Sequence, residues 1–324
     1  MMMDAIGGYF GLELNNGKHY HNGAIKLNTA RNCFEYILNV RMYSKVYIPY
    51  YTCNVMLEPL NKLGVDYEFY HIDKLLEPQK RYELKSKEAF LYTNYYGLKQ
   101  NCVIELAKIY GKQLIVDNAQ AFFERPIKNI DTFYSARKFF GVSDGAYLFT
   151  DKELEADLEQ DISYNRMSHL LKRIDTGAES GYTDLRQNDD SLIENPILRM
   201  SNLTNAILQG VDYDSIKIKR RENYLWLHKH LADVNNVSFD LIDNTAPMVY
   251  PFGIKNGCKI RRLLNEKRIF IATYWHDVVT SVKKESLEYD LSMNIVALPI
   301  DSRYTVSEMD IIISTIKNNI NNEK

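Results

Sequence analysis

Lys138 is the residue whose neighbours most strongly suggest chemistry. It lies in "YSARKFFGVSDGAYLFT" (134–150), between an arginine and two phenylalanines and shortly before a glycine and an apolar run. Together with Ser135 it forms the pattern S-x-x-K, in which penicillin-recognising enzymes use the serine as nucleophile. Those enzymes also require S-D-N and K-T-G, whereas this chain has only "SDG" at 143–145 and no "KTG". The sequence therefore argues against acyl transfer.

A second interpretation makes Lys138 an imine-forming lysine for pyridoxal phosphate, with Asp117 as its partner. Asp117 ends the apolar run "LIVD", which predicts a central strand buried on both faces. Open α/β sheets bind ligands at such strand ends, and a buried carboxylate there would keep the cofactor's ring nitrogen protonated. Lys138 would bind the aldehyde and then move protons as acid and base. Phe139 and Phe140 would help to exclude water, which favours the neutral amine.

The cofactor's phosphate would need a separate site, and Thr29 is the candidate for it. In "NTARNCFEYIL", the apolar residues that follow Ala30 at i+3, i+4, i+7 and i+8 predict an amphipathic helix starting directly after Thr29. The threonine hydroxyl and the free N–H groups of the first helical turn could bind an anion. An ordinary N-cap is the competing explanation. The presence of Ser135, Asp117 and Lys138 favours the phosphate site.

Strands and helices alternate along the first 150 residues. Strand candidates are "KVYIP", "VDYEFYHI", "AFLYT" and "QLIVD", and helical segments between them reach Gly64 and Gly111. This alternation is typical of an α/β domain. It predicts a large domain with a mostly parallel sheet flanked by helices.

Two later stretches are less regular. Residues 145–162, "GAYLFTDKELEADLEQDI", predict a strand and then a helix whose start has a capping box of Thr150 and Glu153. Residues 173–191 are polar and contain glycine, which predicts a long loop. From about Val211, a long charged helix, short strands and two further helices predict a smaller α+β domain. The expected domains are therefore 1–210 and 211–324.

Composition and spacing exclude several functions. The net charge of −2 gives no attraction for nucleic acid or an anionic membrane. The four cysteines lack paired spacing, which argues against a disulfide framework and favours a reducing, cytoplasmic setting. "MMMDAIGGYF" lacks the features of a signal peptide, and no apolar run is long enough to cross a membrane. Two histidine pairs lack a third ligand nearby, so no metal site is expected: His19/His21 and His228/His230.

Several of these segments resemble one known family. "LIVDNAQAFF" resembles the D-x-A-[HQ] signature, and the Lys138 stretch the lysine segment, of nucleotide-sugar aminotransferases of the DegT/StrS type, which are fold-type I pyridoxal-phosphate enzymes. The resemblance continues in order through "NTARNCFEYIL", "TNYYG", "RMSNLTNAIL" and "RRENY". "IFIATYWH" and "LPIDSRY" are similar to strands of the family's small domain. The similarity spans most of the chain and implies a seven-stranded-type sheet.

The resemblance also implies residue roles. It assigns the Schiff base to Lys138, the pyridine nitrogen to Asp117 and the neighbourhood of the phenolic oxygen to Gln120. The residues implied for the phosphate are Thr29, Ala30 and Ser135.

The sequence departs from the family at three places. Cys53 stands where many members have an aromatic residue that stacks on the cofactor ring, and Tyr95 or Tyr96 is the candidate to cover that ring instead. The usual Glu-Gly-Gly after the lysine is "DGA" at 144–146. The family's partner-subunit loop corresponds only to "ENPILRM", in which Asn195 is the candidate phosphate ligand across a dimer.

The function implied by the resemblance is amino transfer. Such enzymes are homodimers that share their active sites and move an amino group, usually from glutamate, through pyridoxamine phosphate onto a nucleotide-linked keto sugar in polysaccharide or antigen sugar biosynthesis. Two alternatives stay open. A sugar dehydratase would keep fold and cofactor, but such relatives carry histidine in place of the lysine. A regulatory homologue would keep only the fold, but would not need to retain Asp117 with Lys138.

Overall fold

A central sheet organises the first half of the chain. The computed structural model describes residues 6–242 and 244–321. Within these ranges, the strands of the large sheet lie in the spatial order β1-β7-β6-β5-β4-β2-β3. Their bounds are β1 (Ile25–Leu27), β2 (Lys45–Pro49), β3 (Asp66–Tyr70), β4 (Glu88–Thr93), β5 (Leu114–Asp117), β6 (Asp131–Ser135) and β7 (Ala146–Phe149). Four neighbouring pairs are parallel and the two that involve β7 are antiparallel, which confirms the predicted mostly parallel sheet.

Helices cover both faces of this sheet. The first three are α1 (Ala30–Arg41), α2 (Leu57–Leu63) and α3 (Gln100–Tyr110). Side chains of α1 and α2 pack with Ile115 of β5, whereas Leu106 of α3 packs with Leu114 and Val116. The strand β5 is therefore buried on both faces, as its unbroken apolar run predicts. Burial of each such aliphatic side chain contributes about 1.5–3 kcal/mol.

The remaining elements lie after the sheet. They are α4 (Ser168–Asp175), α5 (Tyr182–Ser191), α6 (Asn202–Gln209), α7 (Tyr213–Leu231), β8 (Val249–Gly253), α8 (Gly257–Glu266), α9 (His276–Ser281), α10 (Leu287–Asn294), β9 (Ile295–Pro299) and α11 (Val306–Asn321). Strands β8 and β9 form a separate antiparallel pair. The predicted boundary at 210/211 falls between α6 and α7 and stays a prediction.

The prediction of a helix after β7 was wrong. Residues 151–162 contain no helix. The backbone N–H of Leu154 instead donates to the Tyr36 hydroxyl (2.7 Å), and the N–H of Asp161 donates to the Arg199 carbonyl oxygen (3.0 Å). Thr150 Oγ1 accepts from the N–H of Lys152 and so does not form the expected capping box. Contacts with distant residues thus override the local helical pattern.

The prediction of a long loop at 173–191 was also wrong, because most of this segment belongs to α4 and α5. These helices pack closely at Gly181, where a Cβ atom would lie 2.7 Å from the His169 carbonyl oxygen. Asn188 of α5 anchors the pair by donating to the Ser143 carbonyl oxygen (3.0 Å). In the second half, Leu298 and Pro299 of "LPIDSRY" belong to β9. The strand expected at "IFIATYWH" (269–276) is irregular backbone that ends at His276, where α9 begins.

Candidate active site

The carboxyl ends of three neighbouring strands bring the candidate residues together. Thr93 at the end of β4 is paired with Asp117 at the end of β5, and Asp117 with Phe133 of β6. The segments that leave these strands remain joined beyond the sheet, because the N–H of Asn94 donates to the Asp117 carbonyl oxygen (3.0 Å). Segments 94–97, 117–120 and 135–138 therefore share one edge, the edge at which open α/β sheets bind ligands.

Asp117 is a buried carboxylate at the centre of this edge. Its Oδ1 accepts a hydrogen bond from the N–H of Ala119 (2.8 Å). Burial raises the pKa of Asp117, while the charge of Lys138 and the Ala119 N–H act in the opposite direction. A further cationic or N–H partner would stabilise the charged form of this carboxylate, since it would offset the free-energy cost of burial.

Lys138 ends a short 3₁₀ helix (Ala136–Lys138) that follows β6 directly. Its side chain is exposed in the single chain, and its Nζ lies 5.9 Å from the centre of the Tyr274 ring. Phe139 and Phe140 pack against Phe122 (5.6 and 4.8 Å between ring centres). Lys138 is therefore not covered by these rings in the single chain, and their role in excluding water from the amine stays a prediction.

Gln120 presents an unused donor to the same edge. Its Oε1 accepts a hydrogen bond from the N–H of Tyr96 (2.8 Å), which fixes the orientation of the amide. Its Nε2 is buried and has no hydrogen-bond partner among the residues described. Buried donors in native proteins are normally satisfied, so this atom is a natural contact for a bound molecule.

Thr29 is the N-cap of α1, as its position predicts. Its Oγ1 accepts from the N–H of Asn32 (3.1 Å), which supports the ordinary capping role. The first turn of α1, starting at Ala30, still has N–H groups without intrahelical acceptors. Asn28 connects this turn to the lysine segment, because its carbonyl oxygen accepts from Gly145 N (2.6 Å). The Gly145 carbonyl oxygen accepts in turn from the N–H of Ala136, and Ser135 just before it is buried at the end of β6. Thr29 and Ser135, the two hydroxyl groups proposed for the phosphate, therefore lie on the same side of the candidate site.

The ring-stacking assignment stays a prediction. Tyr95 is fully buried, and its hydroxyl donates to the Tyr51 carbonyl oxygen (2.9 Å). Tyr96 is also fully buried, with its hydroxyl 3.0 Å from that of Tyr51. Cys53 is half-buried and precedes a 3₁₀ turn at Asn54–Met56. Both tyrosines are thus engaged with the core of the protein.

Asn195 lies beside α1 of its own chain. Its carbonyl oxygen accepts from Asn32 Nδ2 (2.9 Å), and its side chain donates to the Ser191 carbonyl oxygen (3.1 Å). The contact with Asn32 is close to the capped start of α1. A role of Asn195 across a dimer stays a prediction.

Sequence reasoning missed Tyr274 as a neighbour of the candidate lysine. Tyr274 follows α8, and its carbonyl oxygen accepts a hydrogen bond from the Tyr51 hydroxyl (2.9 Å). Burial raises the pKa of Tyr274 to about 12, and the Arg220 charge opposes the shift. Nothing local in "IFIATYWH" indicates this position, because it depends on packing between segments more than 130 residues apart.

His19 and His21 are buried and contact other residues of the core. His19 contacts the Tyr147 hydroxyl (2.7 Å) and Asn205 (3.0 Å), and His21 contacts the Phe122 carbonyl oxygen (2.7 Å). In the described ranges, no three His, Cys, Asp or Glu side chains are grouped as metal ligands would be. No helix in the same ranges combines the length and apolar character needed to cross a membrane.

Comparison with known proteins gives matches only in structure. No protein-family model matches this chain, and no curated protein matches it in sequence. A DegT DnrJ EryC1 StrS aminotransferase from Brucella abortus has a TM-score of 0.56 at 15% identity, covering 91% of this chain and 85% of that chain. NtdA from Bacillus subtilis with bound cofactor PMP has a TM-score of 0.64 at 14% identity, covering 91% and 72%. DesI with its TDP-sugar product has a TM-score of 0.60 at 13% identity, covering 90% and 79%.

These matches extend over nearly the whole chain. They confirm the predicted fold, a sheet flanked by helices followed by a smaller C-terminal part, as that of known aminotransferases. They also include a protein of the type that the sequence motifs resemble.

Proposed function

We propose that this protein is a pyridoxal-phosphate-dependent aminotransferase that moves an amino group from glutamate to a keto sugar carried on a nucleotide. The observation that carries the proposal is the placement of Asp117 and Lys138 on adjacent strand ends, close enough for the charge of one to act on the other. This pair lies in the fold of known aminotransferases.

The residues present fit the cofactor. The buried Asp117 carboxylate suits a protonated ring nitrogen, and the partnerless Gln120 Nε2 suits an acceptor such as the phenolic oxygen. The first turn of α1 and Ser135 suit the phosphate. The bound cofactor would supply an electron sink for the substrate carbon next to the transferred nitrogen.

The chain's own residues would bind, orient and move protons. Asp117 would hold a proton on the ring nitrogen, and Tyr96 would keep the Gln120 donor aimed at the site. The Lys138 amine would bind the cofactor and then move a proton at the reacting carbon.

The substrate class follows from the neighbours in fold and from the sequence motifs. DesI was solved with a TDP-sugar product and NtdA with bound PMP, which supports a sugar nucleotide as amino acceptor and a pyridoxamine form between the half-reactions. Glutamate as donor rests on the motif resemblance. We infer a cytoplasmic homodimer whose second subunit covers the exposed Lys138.

The test uses the purified protein with added pyridoxal phosphate. We expect a visible absorbance band from lysine-bound cofactor, its loss on addition of glutamate, and its return with one member of a panel of nucleotide-linked keto sugars. Lys138→Met should abolish the band and reduce amino transfer by at least ~1,000-fold, since the covalent and proton-moving group is lost. The control Lys152→Met, at an exposed lysine outside the site, should behave as wild type. A normal band in Lys138→Met, or no band in wild type, would overturn the proposal.

A further inference from the structure

Arg220 is a buried cation that none of the roles above uses. It lies in the middle of α7 and is 2% exposed. Its Nη1 donates to two backbone carbonyl oxygens, those of Pro247 (3.3 Å) and Met248 (3.0 Å), and its Nε is buried without a partner among the residues described. Burial lowers the pKa of Arg220 to about 10. The charge of Asp301 opposes this shift, but the hydrogen bonds of the guanidinium go to neutral carbonyl oxygens, and its burial is costly.

One contact of Arg220 leads to the lysine segment. The central guanidinium carbon lies 4.7 Å from the centre of the Phe139 ring, which is the geometry of a cation–π contact. Phe139 is buried and directly follows Lys138. The guanidinium therefore contacts the side chain of the residue next to Lys138 in the chain.

A second set of contacts leads to Gln120. The carbonyl oxygen of Met248 accepts from Arg220, while the N–H of the same residue donates to the Tyr96 carbonyl oxygen (2.9 Å). The N–H of Tyr96 then donates to Gln120 Oε1 (2.8 Å), with Tyr96 in the left-handed region (φ +57°). This chain of bonds fixes which end of the Gln120 amide faces the site.

We propose that Arg220 is a positioning residue. It orients Lys138 through its contact with Phe139, and it orients Gln120 through Met248 and Tyr96. This inference rests on the proposed function. Its physical basis is that one planar guanidinium can stack on a ring and bridge carbonyl oxygens at the same time, which an ammonium cannot do. The C-terminal part of the chain thereby orients Lys138 and Gln120, which lie at the edge of the large sheet.

The test compares Arg220→Met and Arg220→Lys with Arg221→Met. Arg221 is the matched control, because it also lies in α7 and also donates to backbone carbonyl oxygens of the same loop, those of Ile242 and Thr245. Each variant is assayed for the dissociation constant of pyridoxal phosphate, for the pH midpoint of the lysine-bound absorbance band, and for stability in urea without cofactor. The pH midpoint reports on the surroundings of Lys138, so a loss of stability alone leaves it unchanged.

We expect both Arg220 variants to weaken cofactor binding by at least about tenfold and to shift the pH midpoint, because the two groups lose their alignment. Arg221→Met should retain both values even if its stability falls. Phe139→Leu, which removes only the ring contact, should shift the pH midpoint as well and serves if Arg220→Met does not fold. Unchanged values in the Arg220 variants, or equal shifts in Arg221→Met, would overturn the inference alone. A wild type that binds no cofactor would overturn the proposed function and this inference together.

Discussion

The backbone N–H of Tyr96 holds the side chain of Gln120 in one orientation, with 2.8 Å between Tyr96 N and Gln120 Oε1. The bond uses the acceptor of the amide and leaves the Nε2 donor buried without a partner within the described residues. An amide with one end tied and the other end free is arranged to donate to a ligand.

Substitution of Gln120 tests this arrangement. Gln120→Glu replaces the free donor by a charged acceptor, so we expect pyridoxal phosphate to bind at least about tenfold more weakly, since the cofactor's phenolic oxygen would then face an anion. Gln120→Met, which removes donor and acceptor without adding charge, should weaken binding less. The dissociation constants are measured by absorbance titration. Equal affinity in Gln120→Glu and wild type would show that Gln120 does not contact the cofactor.

Asp117→Asn should raise the stability of the protein while it lowers the rate of amino transfer. Because burial raises the pKa of Asp117 above its unfolded value, the folded chain binds this proton more tightly, and stability is lost as pH rises through the folded pKa. The neutral variant keeps an acceptor for Ala119 N, so we expect the cofactor-free protein to melt at a higher temperature than wild type at pH 7. Amino transfer should fall by ~100-fold or more, because the ring nitrogen loses its counter-charge.

Calorimetry of the cofactor-free proteins and a transamination assay check both parts. Asp117→Ala is the control, because it also removes the charge but leaves the Ala119 N–H without its acceptor; it should melt below Asp117→Asn. A lower melting temperature of Asp117→Asn than of wild type at pH 7 would contradict the argument.

Gly145→Ala should destabilise the fold beside the lysine segment. Gly145 has φ +115°, and a Cβ atom there would lie 2.9 Å from Thr204 Cγ2. Thr204 cannot move away freely, because its hydroxyl donates to the buried Asp144, which also accepts from Ser201 N (2.8 Å). We expect a loss of about 2–4 kcal/mol in the free energy of unfolding, from strain and overpacking together.

Gly64→Ala provides the comparison for Gly145→Ala. Gly64 also has a positive φ (+63°), but a Cβ atom added there would have no neighbouring atom within 4 Å. Its replacement should therefore cost only about 1 kcal/mol, the strain of the left-handed backbone. Urea unfolding measures both values, and equal costs would show that the contact with Thr204 relaxes easily.

His21 should make stability depend on pH below neutrality. Burial lowers the pKa of His21 from 6.5 to about 3, so the unfolded chain takes up this proton first as the pH falls. Stability from this group is present above pH 6.5 and is lost on acidification towards pH 3, with a slope of about 1.4 kcal/mol per pH unit. His21→Gln can still donate to the Phe122 carbonyl oxygen but does not titrate.

Urea unfolding between pH 4 and 8 checks this prediction for His21. The difference in free energy of unfolding between wild type and His21→Gln should be constant above about pH 7 and should change below it with the stated slope. A constant difference over the whole range would show that His21 takes up its proton with the same pKa in the folded and the unfolded chain.

Much of the fold, and the position of several candidate residues on their helices and strands, could be predicted because they depend on local pattern. The period of "NTARNCFEYIL" predicts α1 and its start at Thr29, and the unbroken apolar run before Asp117 predicts a strand buried on both faces. The helix expected after β7 failed for the opposite reason. Its pattern was helical, but the Tyr36 hydroxyl and the backbone of Arg199 bind this segment in another conformation.

Residue types and their local spacing were enough to indicate the available chemistry: a lysine after one strand, a carboxylate after another and a helix start for an anion. Long-range packing, by contrast, brings these groups to one edge, leaves Lys138 exposed in the single chain, and puts Tyr274 and Arg220 beside the lysine segment. Periodicity is set by neighbouring residues and can be read along the chain. Contacts between residues 80 to 140 positions apart depend on how the sheet, α7 and the segment after α8 pack together.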